Sequence, residues 1–377
     1  MSSGQFVGDP IHCWTPANFI MAHVAYTKST CWISNTYYVP MSDTIPMTVA
    51  IRESKQITYY QWVPLILLFM AFLFKVPNIA WRLLNGHSGL NMDKICTLSN
   101  ATLFSSPEDR AKNILHIAKY MHHWIESQRD YHNNLLVRFR HRFSNVFCFC
   151  CGKRDGTFLT GYYLFIKLVY CVNVVGQFFI LNAFMAMDYN LFGFEVVNFL
   201  FNNGGEWKES PRFPRVTLCD ILIRQMRNVQ RYTVQCVLPI NLFNEKIFIF
   251  LWFWLFLVAV LTFFNLFAWI FYCVFQDNKA RYVKKYLKIT HELQTGLDKK
   301  LARKFVCDYL RDDGVFVLRV IGKNSSDMFL TDLVVNLWKL FKESYATYKK
   351  TDLPLGNGDG DAEFTVLHDS ITKENYV

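Results

Sequence analysis

Apolar side chains along this chain gather into three long blocks separated by polar stretches. The strongest, residues 247–275, reads IFIFLWFWLFLVAVLTFFNLFAWIFYCVF and has no charge; only Thr262 and Asn265 are clearly polar. About 20 helical residues, each rising about 1.5 Å, cross a hydrocarbon core of about 30 Å. This block is longer than that and predicts a span that tilts or projects past the headgroups. The second block, residues 161–187, carries Lys167, Asn173, Gln177 and Asn182. Asn173 and Gln177 are four apart and share a helical face. Polar groups are costly in lipid and turn toward protein or water, so this face is expected to look into a helix bundle; a soluble amphipathic helix is the competing reading. The third block, residues 59–81, has a charge-free core at 63–74 that is too short alone. Tyr59, Tyr60 and Trp62 before it and Trp81 after it are interfacial residue types. Lys75 would lie about 24 Å from Tyr59 along a helix, close enough to snorkel to the far headgroups. Pro64 falls in the first turns, where a missing N–H costs least, whereas Pro77 is expected to weaken the other end.

Composition sharpens this picture. Hydrophobic residues are 52% and charged residues 19% of the 377, the latter below the roughly 25% of soluble chains. The expected fold is an all-α membrane protein, a multi-pass helical bundle with transmembrane helices at 59–81, 161–187 and 247–275. Between and around them are expected a first extracellular loop (1–58), a cytoplasmic loop (82–160), a second extracellular loop (188–246), a helical cytoplasmic C-terminal region (276–350) and a flexible tail (351–377). Sidedness rests on RFRHRF at 138–143, Lys153, Arg154 and KARYVKKYLK at 279–288, which flank the spans closely. The positive-inside rule assigns these to the cytosol. Arg224, Arg227 and Arg231 in the second outer loop run against that rule, so charge is an incomplete argument. The net charge of +10 is accounted for by juxtamembrane clusters meeting anionic membrane lipid and requires no nucleic-acid partner. Residues 1–6 have neither the basic start nor the apolar core of a signal peptide.

The 11 cysteines divide by compartment. Cys13, Cys31, Cys219 and Cys236 fall in the expected outer segments. Cys96, Cys148, Cys150, Cys151, Cys171, Cys273 and Cys307 fall in spans or on the cytosolic side. An even outer set suits an oxidising compartment, and four cysteines allow three pairings, among which spacing does not choose.

Three features then coincide: GDPIHCW at 8–14 with Cys31 beyond it; YYQWVP, that is Tyr59, Tyr60, Gln61, Trp62, Val63 and Pro64, at the mouth of a span; and Cys219 with Cys236 ahead of NEKIFIFLWFW. This combination closely resembles the innexins, the invertebrate gap-junction proteins. RDDGVFVLR at 311–319 is similar to a family segment after the last span, and the resemblance runs over roughly residues 4–340. It implies a structural subunit of gap junctions and hemichannels in the plasma membrane. Such a subunit forms homo- or hetero-oligomers with other innexin subunits, docks with the hemichannel of an adjacent cell, and passes ions and small solutes. It also implies disulfides between the outer loops, Cys13 with Cys236 and Cys31 with Cys219. Trp14, Trp32, Tyr37 and Tyr38 near these cysteines either pack the loop core or face a partner, and packing is the expected role. Family members have four membrane helices and a short cytosolic N-terminus. Three helices are present here, and SSGQFVGDP at 2–10 is similar to the outer end of the first, so an incomplete or alternative product is expected. The rival is a truncated, non-conducting member that co-assembles with full-length innexins and modulates them. A transporter or receptor, resting on the spans and the Asn173–Gln177 face, is a third reading.

Other candidate sites fit their chemistry poorly. His116, His122 and His123 with Cys148, Cys150 and Cys151 match no usual zinc spacing. NGDGDAE at 357–363 resembles a calcium loop, but its sixth position is Ala362 rather than Gly and its twelfth is His368 rather than Glu. The 279–288 stretch is expected to be a membrane-proximal helix rather than a calmodulin target. The sequons at Asn100 and Asn324 lie on the expected cytosolic side. There is no phosphate-binding glycine loop, nucleophile elbow or metalloprotease helix, so no metal, cofactor or enzyme activity is expected.

Overall fold

The computed structural model describes residues 9–102, 105–127, 156–185, 189–202, 210 and 212–351. The basic run at 138–143, Lys153, Arg154, Cys148, Cys150, Cys151, the 357–363 stretch and the expected tail from 352 onward lie outside the described residues. In chain order the elements are β1 (His12–Trp14), α1 (Met21–Ile33), β2 (Thr36–Tyr37), α2 (Val49–Ser54), β3 (Gln56–Ile57), a 3-10 turn (Tyr59–Gln61) and α3 (Val63–Asn85). There follow α4 (Met92–Ala101), α5 (Pro107–Ser127), α6 (Phe158–Met185), α7 (Phe192–Asn202), β4 (Val216–Gln225), β5 (Asn228–Val237) and α8 (Pro239–Val274). The chain continues with α9 (Gln276–Ile289), α10 (Gly296–Lys304), a π-helical turn (Phe305–Leu310), α11 (Arg311–Asn324) and α12 (Asp327–Thr351). Two compact units result, one from Met1–Val76 with Tyr170–Phe263, the other from Pro77–Val169 with Phe264–Val377.

Three helices, α3, α6 and α8, are long and apolar enough to cross a membrane. Of the most apolar stretch of each, only 17%, 33% and 17% is buried within the chain. Their apolar surface is therefore left for lipid or other subunits, as in a membrane bundle. Helix α8 begins at Pro239, where a missing N–H costs nothing because that first-turn donor has no intrahelical partner. Its opening turns bury Asn241, Asn244 and Glu245. Each is matched: Asn241 donates to the Pro214 carbonyl at 2.8 Å, Asn244 to Asn241 Oδ1 at 3.4 Å, and Arg215 pairs with Glu245 at 3.2 Å.

The first unit holds a five-stranded antiparallel sheet in the order β1-β5-β4-β2-β3. Thus the segments expected as disulfide-linked loops carry regular strands. The sheet's buried side packs Ile11, Ile57, Ile221 and Val234 with Tyr59, Phe213 and Phe248. Helix α7 lies tight on α8: a Cβ on Gly193 would come within 1.9 Å of the Trp252 ring, so only glycine fits there.

The second unit, over its described residues, is helical. Its core centres on Phe305, Tyr309, Phe316, Leu337 and Trp338, all essentially inaccessible. Helix α9 carries the KARYVKKYLK stretch, and it buries Val283, Tyr286 and Leu287 in this core. Its apolar stripe is spent inside the unit, which leaves no amphipathic face of the kind a calmodulin target presents. Helix α6 receives its N-terminal cap from elsewhere in sequence. Asp313 accepts from the backbone N–H groups of Leu159 and Thr160 at 3.1 and 2.9 Å and from the Thr160 hydroxyl at 2.9 Å. The Asp313 N–H returns to the Gly156 carbonyl at 2.8 Å. A carboxylate here satisfies donors that the helix cannot satisfy itself and meets the positive end of its dipole.

Burial pushes the Asp313 carboxyl up to about 6, outweighing the opposing bonds from Thr160 and Leu159. A proton is then held more tightly in the folded than in the unfolded chain. The group's contribution to stability is greatest below pH 3.8 and declines as pH rises through about 6. Asp313→Asn is expected to flatten that decline in thermal unfolding of the detergent-solubilised protein. At neutral pH it should cost about 1–3 kcal/mol, because an amide nitrogen faces donors it cannot accept from. Equal pH slopes in both proteins would contradict this.

Candidate functional site

The candidate site is the sheet of the first unit and its joints to the long helices. In the structure Cys13 is bonded to Cys236 and Cys31 to Cys219. Cys13 and Cys236 face each other in the β1–β5 register. Cys31 lies on α1, so the second bond ties that helix to β4. The sulfurs of Cys13, Cys31 and Cys236 lie within 4.8 Å of one another, so the two bonds are adjacent. All four sulfurs are spent in these bonds, leaving no thiolate to ligate a metal. Cys31, Cys219 and Cys236 are fully buried, which shields the bonds from reductants. The four loop aromatics divide: Tyr37 is buried and Trp32 and Tyr38 pack on the core, but Trp14 is 84% exposed. The expectation that Trp14 packs inside is corrected, because strand alternation sends its neighbour Cys13 inward on the edge strand β1.

A polar clamp lies across the same sheet. Asp220 of β4 pairs with Arg52 at 2.8 Å and accepts from Tyr37 at 3.0 Å and Thr233 at 2.7 Å. Partial burial favours the neutral acid, but the bonds from Thr233, Arg52 and Tyr37 prevail and hold the Asp220 carboxyl below its usual range. The Tyr37 hydroxyl is pushed up to about 12 by burial and then by the Asp220 charge. Arg52 and Tyr37 come from before α3, and Asp220 and Thr233 from after α6, so this clamp joins the segments that the disulfides join. At the far end of β4–β5, Met226 is fully exposed with φ of 53° in a two-residue turn. That backbone conformation usually takes Asn or Gly.

The YYQWVP residues form the joint between sheet and helix. Gln61 Nε2 donates to the Trp32 carbonyl, to the Ile33 carbonyl at 3.5 Å and to Asn35 Oδ1 at 3.3 Å. Trp32 and Ile33 end α1, where carbonyls lack helical partners, and Asn35 takes the left-handed conformation that terminates helices. The Tyr60 hydroxyl also donates to the Trp32 carbonyl, at 3.4 Å, and the Tyr59 hydroxyl to the Arg212 carbonyl, at 3.1 Å. Tyr59 and Tyr60 stand edge-to-face, and Tyr59 meets Phe213. Val63 is buried, whereas Trp62 and Pro64 face outward at the start of α3. The motif thus fastens α1 and the sheet to the mouth of a long helix. Gln61→Leu is expected to lower unfolding stability by about 1–2 kcal/mol, read as a lower thermal midpoint in detergent. An unchanged midpoint would remove Gln61 from this role.

The polar face of α6 has a specific partner. Pro77 lies inside α3 and has no N–H, so the carbonyl four residues earlier, that of Leu73, has no helical donor. Asn173 Nδ2 donates to that carbonyl at 3.1 Å, and Gln177 Nε2 donates to Asn173 Oδ1 at 3.1 Å. Helix α3 continues through Pro77 to Asn85, so the proline does not end it, and the bond it removes is replaced by Asn173. Such bonds between membrane helices contribute about 0.6–2 kcal/mol. Asn173→Leu should cost about that much in the native chain, but far less in a Pro77→Ala background, where residue 77 itself supplies the N–H. Equal losses in the two backgrounds would refute the pairing.

Of the histidines weighed for zinc, His116 and His123 are exposed, and His122 lies between the Tyr309 hydroxyl at 2.6 Å and Glu126 at 3.4 Å. Sequence reasoning missed the Arg52–Asp220 clamp and the Asp313 cap, because both are contacts between residues more than 150 apart.

Comparison with known proteins gives one answer. The innexin family model matches residues 1–341. The chain is 40% identical to innexin unc-9 of Caenorhabditis elegans, over 90% of this chain and 86% of that one. It is 36% identical to innexin-19 of Caenorhabditis briggsae, over 91% and 82%. It is 34% identical to innexin-3 of Caenorhabditis elegans, over 91% and 79%.

Proposed function

The chain belongs to the innexin family of gap-junction channel subunits, and on that premise we propose how its parts divide the work. The observation that carries the reading is the pair of disulfides joining the segment before α3 to the segment between α6 and α8. Segments sharing one sheet and two disulfides belong on one side of a membrane, and an oxidising side is the extracellular one. With α3, α6 and α8 as spans, residues 82–160 and the chain from 276 onward are then cytoplasmic. That assignment agrees with their basic runs, and it also overrides the contrary arginines of the β4–β5 hairpin.

In this reading the disulfide-tied sheet is the docking module for a hemichannel of an adjacent cell. Docking pays an ordering cost that cross-linked, rigid segments reduce. The exposed turn at Met226 and the exposed Trp14 give this module apolar contact groups. The outward apolar faces of the three spans serve lipid and neighbouring innexin subunits, identical or different, in the plasma membrane. Conduction is passive, and no step requires catalysis, a cofactor or nucleic acid.

Paired cells expressing the chain test this directly. The expected result is junctional current and transfer of a small dye. Cys31→Ser with Cys219→Ser should abolish transfer while surface-labelled protein remains. No transfer from the native chain, with reduced transfer through a co-expressed full-length innexin, would instead identify a non-conducting modulator.

A further inference from the structure

In the second unit, aromatic side chains from the ends of all three long helices meet. Trp81 of α3 stacks on Tyr162 of α6 at 5.6 Å and meets Tyr163 at 5.3 Å. Tyr163 packs on Trp269 of α8 at 4.7 Å, and Trp269 meets Tyr272 at 6.5 Å. Trp and Tyr gathered at one level of several spans mark a headgroup boundary. Cations lie over these rings. Lys167 Nζ is 5.2 Å from the Tyr163 ring and Lys323 Nζ 4.4 Å from the Trp269 ring. The Arg319 guanidinium is 4.8 Å from Tyr272 and 4.4 Å from Tyr282. Arg319 and Lys323 are four apart on α11 and so share a face.

Arg319 and Lys323 have no carboxylate partner among the described residues, and the nearby carboxylates are engaged elsewhere. Asp312 is taken by Lys279 at 2.5 Å, Asp277 by Arg303 at 3.9 Å, and Asp327 accepts from the Tyr286 hydroxyl at 3.4 Å. Arg319 and Lys323 form no ion pair among the described residues, and the one hydrogen bond of Arg319 is a long 3.4 Å contact to the Asn278 carbonyl. A guanidinium carries five N–H donors shaped for phosphate or carboxylate. A positive cluster at a headgroup boundary, rich in donors and poor in acceptors, has the complementary chemistry of an anionic headgroup.

We propose that Arg319 and Lys323 with their aromatic rings form a binding site for the phosphate of an anionic phospholipid of the cytoplasmic leaflet. The proposal rests on the membrane topology given above. The lipid phosphate accepts from Arg319 and Lys323, while the exposed Tyr272 ring lies at the glycerol level, an arrangement suited to interfacial aromatics. Bound lipid would tie α11, and with it the helical region after α8, to the ends of the spans.

The full chain, purified in detergent and exposed to equimolar phosphatidylserine and phosphatidylcholine, is read by native mass spectrometry for retained lipid. The native protein should retain phosphatidylserine preferentially. Lys323 is exposed, so Lys323→Gln leaves the fold intact. It should weaken that preference about fivefold, the factor expected for one cation near an anionic surface. Arg319→Gln should weaken it at least as much and Arg319→Lys less, while Lys55→Gln, on an exposed residue of the first unit, should leave it unchanged. Unchanged preference in both Lys323→Gln and Arg319→Gln overturns the site. Full displacement of the lipid by millimolar inorganic phosphate overturns the lipid assignment in favour of a soluble anion. Insertion into phosphatidylcholine vesicles, scored by flotation and resistance to alkaline extraction, is read in parallel. Normal insertion with no lipid preference defeats the site alone, whereas failure of the native chain to insert defeats the topology on which it rests.

Discussion

Two covalent bonds, Cys13–Cys236 and Cys31–Cys219, join parts of the chain 223 and 188 residues apart. Much of the first unit depends on them. Strands β1, β2 and β3 have only three, two and two residues, far below what holds a sheet together by hydrogen bonds alone. The disulfides pin β1 and α1 to the hairpin of the two ten-residue strands β4 and β5, so the short strands gain a register they would not keep unaided. The Arg52–Asp220 clamp and the Tyr59–Phe213 contact join the same two segments by weaker means. Once this module is fixed, the starting points of α3 and α8 are fixed with it, through Gln61 and Tyr60 at one and Asn241 and Glu245 at the other.

A second theme runs through both units. Backbone groups that a helix cannot satisfy are supplied with partners from distant sequence. Gln61 serves the last carbonyls of α1, Asp313 the first N–H groups of α6, and Asn173 the carbonyl that Pro77 leaves open in α3. In or near lipid, water cannot take these roles, so each partner is required rather than merely favourable. These are the positions where a polar residue inside an apolar run has a structural reason to exist.

The sequence made the long helices legible, because a charge-free run such as residues 247–275 has few physical alternatives. It also made the polar face of residues 173 and 177 legible, though not its target, since a proline's missing bond shows only when the partner helix is in place. The first two turns of α8 were hidden: Asn241, Asn244, Glu245 and Lys246 read as loop, yet three of them are buried and satisfied by partners that hydropathy does not register. The sheet was hidden for a different reason. Strands of two or three residues are too short to show alternation, and in β4 the inward set Thr217, Cys219 and Ile221 mixes polar, sulfur and apolar types. The YYQWVP motif was recognisable by resemblance before its work was visible, because Gln61 acts on α1, which precedes it by nearly thirty residues.

The segments flanking the long helices form one covalently closed module. Peptide mapping of the full chain without reduction, after alkylation of free thiols, tests it most directly. One cross-linked peptide pair should carry Cys13 with Cys236 and another Cys31 with Cys219, both lost on reduction. Recovery of Cys13 joined to Cys31, or of all four as alkylated thiols, would contradict it.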